Sequence, residues 1–410
     1  MLIRIVLLVA LLAGCVPARR AAVPPPEPSP PPVAMTLIRA APEEVGMSPR
    51  LDERLDSLLS AAVAEGVAPA VAAAVGRYGR LVYLKGFGTT HGAPGYRPVD
   101  PETMFDLASL TKVVATTTAA MMLEDEGRLD LNRTVASYLP EFSDPAKASI
   151  TVEQLLTHSG GLEAFARLFE TYRGRAEYLQ AINSRPLQYP PGTGTVYSDW
   201  DMILLQLVIE RITGQPLDRL VTERIFQPLG MSRTMFTPPP SLAENIAATE
   251  VDESRGGLIH GVVHDPNAWA MGGVAGHAGL FSTASDLAIF AQMMLNGGWY
   301  DEVRLLRPET IARWTARQSP YSSRALGWDT PSGESSSGRY FSARAFGHTG
   351  FTGTSMWMDP ERGLFVILLT NRVDPTAENQ KHVPLRRSFA DAVQRAVIDA
   401  PLIDWEVQRE

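Results

Sequence analysis

Ser109 and Lys112 lie three residues apart in the stretch FDLASLTKVV, Phe105 to Val114. The sequence predicts a helix that begins at Ser109 and runs to about Glu126, so both side chains lie on one face of its first turn. A helix N-terminus offers unpaired N–H groups and positive potential, which favour an attacking alkoxide. The pair can therefore be a nucleophile and the group that activates it. On these residues alone, Ser109 can equally be a helix cap.

Tyr197 and Asp199 lie in a second stretch, YPPGTGTVYSDWD, between a Pro/Gly loop and a helix predicted over 199–213. A phenol near an ammonium group has a lowered pKa, so Tyr197 is a candidate general base. The alternative is that Tyr197 packs in the loop while Asp199 caps the helix. The capping and functional roles of Asp199 are compatible.

His348, Thr349 and Gly350 lie in a third stretch, FGHTGFTG, on a predicted strand with glycine on both sides. A bare backbone lets a substrate approach and offers an N–H group, such as that of Phe351. The alternative is a small-residue strand that close packing requires.

The three stretches match a known set in order and in setting. They resemble the three motifs of the serine β-lactamase and penicillin-binding-protein superfamily, here Ser109-x-x-Lys112, Tyr197-x-Asp199 and His348-Thr349-Gly350. Tyrosine at the start of the second motif is similar to the branch that holds class C β-lactamases, D-amino-acid peptidases and esterases. The resemblance covers roughly residues 45–400.

The resemblance implies a role for each catalytic candidate. Ser109 is the nucleophile that becomes acylated, and Lys112 and Tyr197 share the general acid/base work. The oxyanion hole consists of the backbone N–H groups of Ser109 and Phe351, and each donor is worth roughly 2.7–4 kcal/mol of barrier.

Asp199, His348, Thr349 and Gly350 are the implied substrate-side residues. Asp199 stands where the family usually has Asn, and His348 stands where lactamases usually have Lys. Both departures argue against efficient β-lactam hydrolysis. A histidine with an ordinary pKa of about 6.5 is only partly charged at neutral pH. The sequence therefore predicts that His348 attracts a substrate carboxylate more strongly as the pH falls.

The elements that must position these residues come from both ends of the chain. The segment AVAAAVGRYGRLVYLKGFG predicts a hairpin around Tyr78-Gly79, and a distant segment ends in a buried strand, Leu364–Thr370. Together they predict one antiparallel sheet flanked by helices, with a mainly helical lobe inserted at about 115–270. The fold class is α/β (α+β), and the resemblance implies a β-lactamase/transpeptidase-like fold.

Local signals mark three helices. Ser48 and Pro49 predict the cap and first position of the first helix, and Gly66 predicts its end. Thr151 and Gln154 form a capping box ahead of a second helix. The helix over 199–213 is predicted to end at a glycine.

The N-terminus predicts export and a lipid anchor. Residues 1–14 resemble a signal peptide, and the tetrapeptide LAGC resembles a bacterial lipobox, whose cysteine is lipidated. That residue, Cys15, is the only cysteine in the chain and is followed by a Pro-rich linker, residues 15–44. The hydrolase domain spans 45–400 and a tail spans 401–410. We expect a lipid-anchored protein of the cell envelope, outside the cytoplasmic membrane; the alternative is an ordinary signal peptide that contains a cysteine.

Composition limits the partners. The formal net charge is −8 and no Lys/Arg cluster is larger than a pair, so we expect no nucleic-acid partner. His260 and His264 have i, i+4 spacing but belong to no H-E-x-x-H motif. We therefore expect neither a metal nor a cofactor.

These observations predict a serine hydrolase that acts through an acyl-enzyme on a peptide or amide, β-lactam or ester carbonyl. A small molecule or a cell-wall peptide is the expected substrate. The first expectation is a D-Ala carboxypeptidase or a β-lactamase-like enzyme. The alternatives are a small-ester esterase of the same fold and a protein that binds penicillin or cell-wall fragments without turnover.

Overall fold

Most of the longer strands lie near the two ends of the chain that the computed structural model describes, which is residues 36–333 and 335–404. The strands are β1 (Ile38–Arg39), β2 (Ala70–Arg77), β3 (Arg80–Gly88), β4 (Phe105–Asp106), β5 (Met235–Phe236), β6 (Val251–Asp252), β7 (Gly257–Leu258), β8 (Leu280–Ser282), β9 (Trp299–Tyr300), β10 (Val303–Arg304), β11 (Phe346–Thr349), β12 (Ser355–Asp359) and β13 (Leu364–Thr370). The helices are α1 (Leu51–Ala64), α2 (Thr118–Asp125), α3 (Val135–Tyr138), α4 (Val152–Leu156), α5 (Gly174–Ser184), α6 (Asp199–Thr213), α7 (Leu217–Val221), α8 (Gln227–Leu229), α9 (Pro266–Ala270), α10 (Ala284–Leu295), α11 (Pro308–Thr315) and α12 (His382–Gln394). A π-helical segment, Lys112–Thr117, leads into α2.

The main sheet joins both ends of the chain, as predicted. Its strand order is β1-β3-β2-β13-β12-β11, and β13 pairs with β2 in antiparallel register from Leu364 opposite Arg77 to Thr370 opposite Val71. The predicted fold class is confirmed.

One edge of this sheet differs from the prediction of a purely antiparallel sheet. β1 pairs with β3 in parallel, with Ile38 opposite Arg80, so the sheet is mixed. Parallel strands cannot be joined by a tight turn, and here α1 and β2 separate β1 from β3 along the chain. β1 also precedes residue 45, the predicted start of the hydrolase domain.

The β2–β3 hairpin turns where the sequence predicts it. Tyr78 and Gly79 both have positive φ, 51° and 76°, as the turns that suit the right-handed twist of a hairpin require.

The central strands are apolar on both faces because helices cover both faces. Val71, Ala73 and Val75 of β2 belong to one core cluster with α1 and α12. Ala72 and Ala74 belong to a larger core cluster shared with the helical region and α10. β2 therefore lacks the alternation of apolar and polar residues seen in half-exposed strands, as expected for a strand buried on both sides.

The predicted start of the first helix is wrong by two residues. α1 begins at Leu51, and Ser48 is tied instead to the C-terminal region, where its N–H donates to the Ala396 carbonyl at 2.7 Å. The chain then makes a turn, in which the Leu51 N–H donates to the Ser48 carbonyl at 3.0 Å, before the helix begins. Gly66, with φ of 67°, follows the end of α1 as predicted. The Thr151–Gln154 capping box and the bounds of α6 are also confirmed.

The predictions for residues 1–35, including Cys15, and for residues 405–410 lie outside the described residues. Across 36–333 and 335–404, none of the helices combines the length and the apolar character that crossing a membrane requires.

Candidate active site

A cavity of about 420 Å³ opens beside the end of β11. Six of the residues that the sequence singled out line it: Ser109, Tyr197, His348, Thr349, Gly350 and Phe351. Lys112 and Asp199 join them through hydrogen bonds. The structure therefore brings all three sequence motifs to one place.

Ser109 lies on a strained turn just ahead of the helical segment. The preceding residue, Ala108, has φ of 46°, a conformation that costs a non-glycine residue of order 1–3 kcal/mol. The Asp106 carboxylate holds this turn by accepting from the N–H groups of Ala108 at 2.8 Å and His264 at 2.7 Å. Burial raises the pKa of Asp106 above its ordinary value.

Two threonine hydroxyls from the segment between β11 and β12 donate hydrogen bonds to the same turn. Thr352 donates to the Asp106 carbonyl at 2.7 Å, and Thr354 donates to the Leu107 carbonyl at 3.0 Å. Asp106, Thr352 and Thr354 were not predicted from the sequence as supports for the nucleophile. Both threonines follow closely on the HTG motif, which is the one signal that could have pointed to them.

Lys112 is completely buried and uses its ammonium group fully. Its Nζ donates to Ser109 Oγ at 2.9 Å, to Asp199 Oδ1 at 2.8 Å and to the His277 carbonyl at 3.1 Å, one partner for each N–H. Burial lowers the pKa of Lys112, but the neighbouring Asp199 and Tyr197 oxygens raise it by more, so it lies above the ordinary lysine value. Lys112 is therefore a cation at neutral pH.

Tyr197 has a buried hydroxyl that makes no hydrogen bond to any residue described by the structure. Lys112 Nζ and Arg324 Cζ each lie 4.8 Å from the centroid of its ring, which fixes the ring by cation–π contacts. An unpaired buried hydroxyl costs about 1–3 kcal/mol. The hydrogen-bonding capacity of this hydroxyl is therefore unused within the described chain.

Asp199 is free to bind Lys112 because its neighbour caps the helix. The Ser198 hydroxyl accepts from the Trp200 N–H at 3.2 Å and so occupies the N-cap position of α6. The reading of Asp199 as the cap is therefore wrong.

His348 is uncharged, contrary to the prediction of an ordinary, titrating histidine. Its Nδ1 lies 2.8 Å from the Thr349 carbonyl, which can only accept, so Nδ1 carries the proton. The buried Nε2 is therefore a bare acceptor and has no described partner. Burial, together with the positive charges of Arg324 and Lys112, lowers the pKa of His348 well below its ordinary value. His348 therefore cannot attract a carboxylate by gaining charge between about pH 5.5 and pH 8.

The predicted oxyanion donors are unoccupied within the described chain, since the N–H groups of Ser109 and Phe351 donate to none of its residues. Gly350 lets the strand segment approach the turn that carries Ser109, because a Cβ at position 350 would lie 2.3 Å from the Leu107 carbonyl oxygen. A Cβ at Gly347 would similarly lie 2.3 Å from the Met356 carbonyl oxygen. Close packing of the protein itself therefore explains both glycines.

Comparison with known proteins decides the family. The family model described as Beta-lactamase matches residues 55–391. An Escherichia coli (strain K12) protein named "Putative D-alanyl-D-alanine carboxypeptidase" is 36% identical over 342 residues, which cover 74% of this chain and 78% of that protein. The chain belongs to the β-lactamase family. It is a serine hydrolase.

Solved structures share the fold of this β-lactamase-family chain. A penicillin-binding-protein homologue from Caulobacter crescentus aligns with a TM-score of 0.68 at 23% identity and covers 85% of this chain and 99% of its own. EstCE1, "a hydrolase with promiscuous acyltransferase activity", aligns with a TM-score of 0.68 at 22% identity, covering 84% and 98%. In this chain the S-x-x-K, Y-x-D and HTG segments meet at one cavity, and the roles of their residues stay predictions.

One buried pair supports the loop that carries Tyr197. His158 Nδ1 lies 2.8 Å from Asp201 Oδ2, and both side chains are buried. Burial raises the pKa of Asp201 well above its ordinary value and lowers that of His158 well below its own, so burial opposes an ion pair here. The His158 carbonyl accepts from the Val196 N–H at 3.0 Å. His158 therefore shapes the backbone next to Tyr197.

The histidines considered as metal ligands do not converge. His260 Nε2 lies 2.9 Å from the Ile246 carbonyl, and His264 Nε2 lies 2.8 Å from Glu250 Oε2. Elsewhere in the described chain, ligand atoms of Asp199, Asp265 and His277 lie within 4.8 Å of one another. The Lys112 ammonium binds Asp199 and the His277 carbonyl at that point, so its positive charge opposes a metal cation there.

We expect Asp199→Asn to move the alkaline limb of the kcat/KM profile to lower pH. The amide keeps an acceptor for Lys112 but removes the negative charge that raises the Lys112 pKa, so that pKa falls. The measurement is a pH profile with a neutral ester substrate. Asp218→Asn on α7, outside the cavity, is the matched control. An alkaline limb that does not move would show that Asp199 does not set the charge of Lys112.

Proposed function

We propose that this serine hydrolase is a carboxypeptidase that removes a C-terminal D-alanine-type residue from cell-wall peptides. The observation that carries the proposal is a positive end of the cavity, formed by Arg372 and Arg386. Neither guanidinium has a carboxylate within 4.0 Å in the described parts of the chain.

Backbone carbonyls hold both arginines without cancelling their charge. Arg372 donates to the carbonyls of Phe351 at 2.7 Å and Asn379 at 3.0 Å. Arg386 donates to the carbonyls of Gly353 at 3.2 Å and Thr354 at 2.7 Å. Burial and the neighbouring Arg372 charge lower the pKa of Arg386 to about 9. Two buried cations without an anion favour a substrate that brings a carboxylate.

Arg324 adds a third guanidinium to the same cavity. Its Nη1 lies 3.9 Å from Asp329 Oδ2, which is too long for a hydrogen bond. In this proposal the arginines bind the substrate carboxylate, a role first predicted for His348, and the neutral Nε2 of His348 accepts a hydrogen bond from the substrate.

The proposed reaction uses groups that line the cavity, together with Lys112. Ser109 Oγ attacks the carbonyl carbon while Tyr197 Oη, as the phenolate, takes its proton, and the Lys112 ammonium stabilises both oxygens. The N–H groups of Ser109 and Phe351 bind the oxyanion. Tyr197 then gives the proton to the departing amine of D-alanine, which leaves the acyl-enzyme. Water hydrolyses this ester with Tyr197 again as the base, and Ser109 regains its proton.

Two observations support this substrate over a simple ester. The Escherichia coli relative carries the name of a D-alanyl-D-alanine carboxypeptidase. The arginine end of the cavity attracts a C-terminal carboxylate, and a neutral ester has no such charge to bind there.

The test is a matched pair of peptides that end in D-Ala-D-Ala, one with a free carboxylate and one with a C-terminal amide. Losing a hydrogen bond to a charged group costs about 1.5–3 kcal/mol, so we expect kcat/KM to fall by roughly 10- to 150-fold for the amide. Arg324→Gln should reduce this ratio, while Arg344→Gln, an exposed arginine outside the cavity, should not. Equal rates for both peptides, with faster ester hydrolysis, would favour the esterase. A stable adduct without product would favour a binding protein.

The pH dependence gives a separate prediction. We expect the ratio of kcat/KM for the carboxylate peptide over a neutral ester to stay flat from about pH 5.5 to pH 8 and to fall above about pH 9. His348 stays neutral over that range, and Arg386 loses its charge only as the pH rises through its pKa of about 9. The ratio cancels the ionisation of Lys112 and Tyr197, which both substrates share. A ratio that rises towards pH 5.5 would instead show that His348 titrates.

We also propose that Cys15 is lipidated and holds the hydrolase at a membrane of the cell envelope. The lipobox-like LAGC and the absence of any other cysteine in the sequence support this. Cys15→Ser should move the protein from the membrane fraction to the soluble fraction and abolish labelling with palmitate. Membrane retention of the variant, with no label on the unmodified protein, would contradict the anchor.

A further inference from the structure

A second cavity adjoins the active-site cavity and shares Arg324 with it. Its volume is about 250 Å³, enough for a single ring-sized group. Two loops face each other across it, residues 192–195 ahead of Tyr197 and residues 318–324 after α11, and the end of α4 closes it.

The described walls of this cavity are rich in hydroxyl groups and poor in charge. Glu153 and Arg324 are the charged residues among them, and the others offer hydroxyls, one amide, glycine backbone and a single aromatic ring. The hydroxyls of Ser319 and Ser322 accept from backbone N–H groups at 3.2 Å, and neither donates its own proton to a described residue. Hydroxyl donors in a cavity with one acidic and one basic residue suit a neutral, hydroxyl-rich ligand better than an ion.

Tyr321 supplies the aromatic ring, and it is 97% exposed, against 38–66% for the other exposed large hydrophobic residues of the described chain. It lies at the tip of a short turn in which Ser319 and Ser322 form a β-bridge. A ring this exposed buries almost no apolar surface in the fold, and it offers a flat apolar face next to polar groups. Aromatic rings with a polar edge are suited to surfaces where one side of a ligand is apolar and the other is polar.

We propose that this cavity is a sugar subsite, in which Tyr321 stacks on the apolar face of a hexosamine ring and the surrounding hydroxyls bind its polar edge. The inference rests on the proposed carboxypeptidase function and specifies its substrate class as a peptide that still carries a cell-wall sugar. Arg324 divides the two cavities, so one extended substrate occupies both, with its carboxylate at the arginine end and its sugar beyond Arg324.

The test compares two pentapeptides that end in D-Ala-D-Ala, one N-acetylated and one joined at its N-terminus to an N-acetylmuramoyl sugar. We expect kcat/KM to be on the order of tenfold higher for the sugar-bearing peptide, which corresponds to about 1.4 kcal/mol. Tyr321→Ala should remove this advantage by slowing the sugar-bearing peptide alone, and Tyr321→Phe should keep it because the ring remains. Trp269→Ala removes an exposed ring that lines a different cavity and should leave the advantage unchanged.

Equal rates for the two peptides in the unmodified enzyme would overturn the sugar subsite and leave the carboxypeptidase intact. An advantage that persists in Tyr321→Ala would also overturn it. If neither peptide is cleaved, the proposed function fails, and calorimetric binding to Ser109→Ala decides the subsite separately. Tighter binding of the sugar-bearing peptide that is lost with Tyr321→Ala would then support the subsite, and equal affinities would reject it.

Discussion

Ser109→Ala is expected to lower kcat by about 10⁴- to 10⁶-fold and to abolish covalent labelling, while leaving the fold intact. Losing a nucleophile removes the acyl-enzyme route, and residual catalysis comes from binding and the oxyanion donors alone. The measurement combines steady-state kinetics with intact-mass analysis of a slowly hydrolysed β-lactam or ester. Peptide mapping should place the single adduct of the unmodified enzyme on the peptide that contains Ser109.

Little change in stability is expected with this substitution. The Ser109 hydroxyl makes one described hydrogen bond, which it accepts from Lys112. Without this hydroxyl, the Lys112 ammonium still donates to Asp199 and to the His277 carbonyl. One such bond is worth about 1 kcal/mol. Ser137→Ala, at an exposed serine whose hydroxyl donates to the Thr134 carbonyl, is the matched control and should keep full activity. An adduct found on Ser159 or Ser282 would show that the nucleophile is misassigned.

Tyr197→Phe is expected to lower kcat/KM by roughly 10²- to 10⁴-fold without destabilising the protein. Loss of a general acid/base accounts for the kinetic effect. Stability should be unchanged or slightly higher, because the phenol oxygen is buried without a described partner and its removal relieves an unmade hydrogen bond. Because the Tyr197 hydroxyl does not stabilise the fold, a loss of turnover in this variant would indicate that the hydroxyl has a chemical role.

Tyr178→Phe is the matched control for that substitution. The Tyr178 hydroxyl is also buried, but it donates to Asn267 Oδ1 at 2.8 Å. Its removal should cost about 1–3 kcal/mol of unfolding free energy and leave kcat/KM unchanged. Urea unfolding and kinetics on both variants separate the two roles. A Tyr197→Phe enzyme with near-normal kcat/KM would leave Lys112 as the base, despite its raised pKa.

The sequence by itself was sufficient for features that depend on near neighbours. The spacing of Ser109 and Lys112 places both side chains on one helical face, and the structure joins them at 2.9 Å. The Tyr78-Gly79 turn and the bounds of α6 follow from the conformations that a few adjacent residues prefer. Each of these signals acts over about one turn of chain, so no knowledge of distant contacts is needed to predict it.

Charge states and supporting contacts depended on the tertiary structure, because electrostatic energy follows distance in space and burial rather than position in the chain. Lys112 is held as a cation by Asp199, 87 residues away. His348 is kept neutral by burial and by Arg324, so its type alone predicted the wrong behaviour. Arg386 lies on the last helix in a stretch without any motif, and only the packing of α12 against the sheet brings its charge to the cavity. The sequence therefore determined which groups could react, and the fold decided which of them carry charge when a substrate arrives.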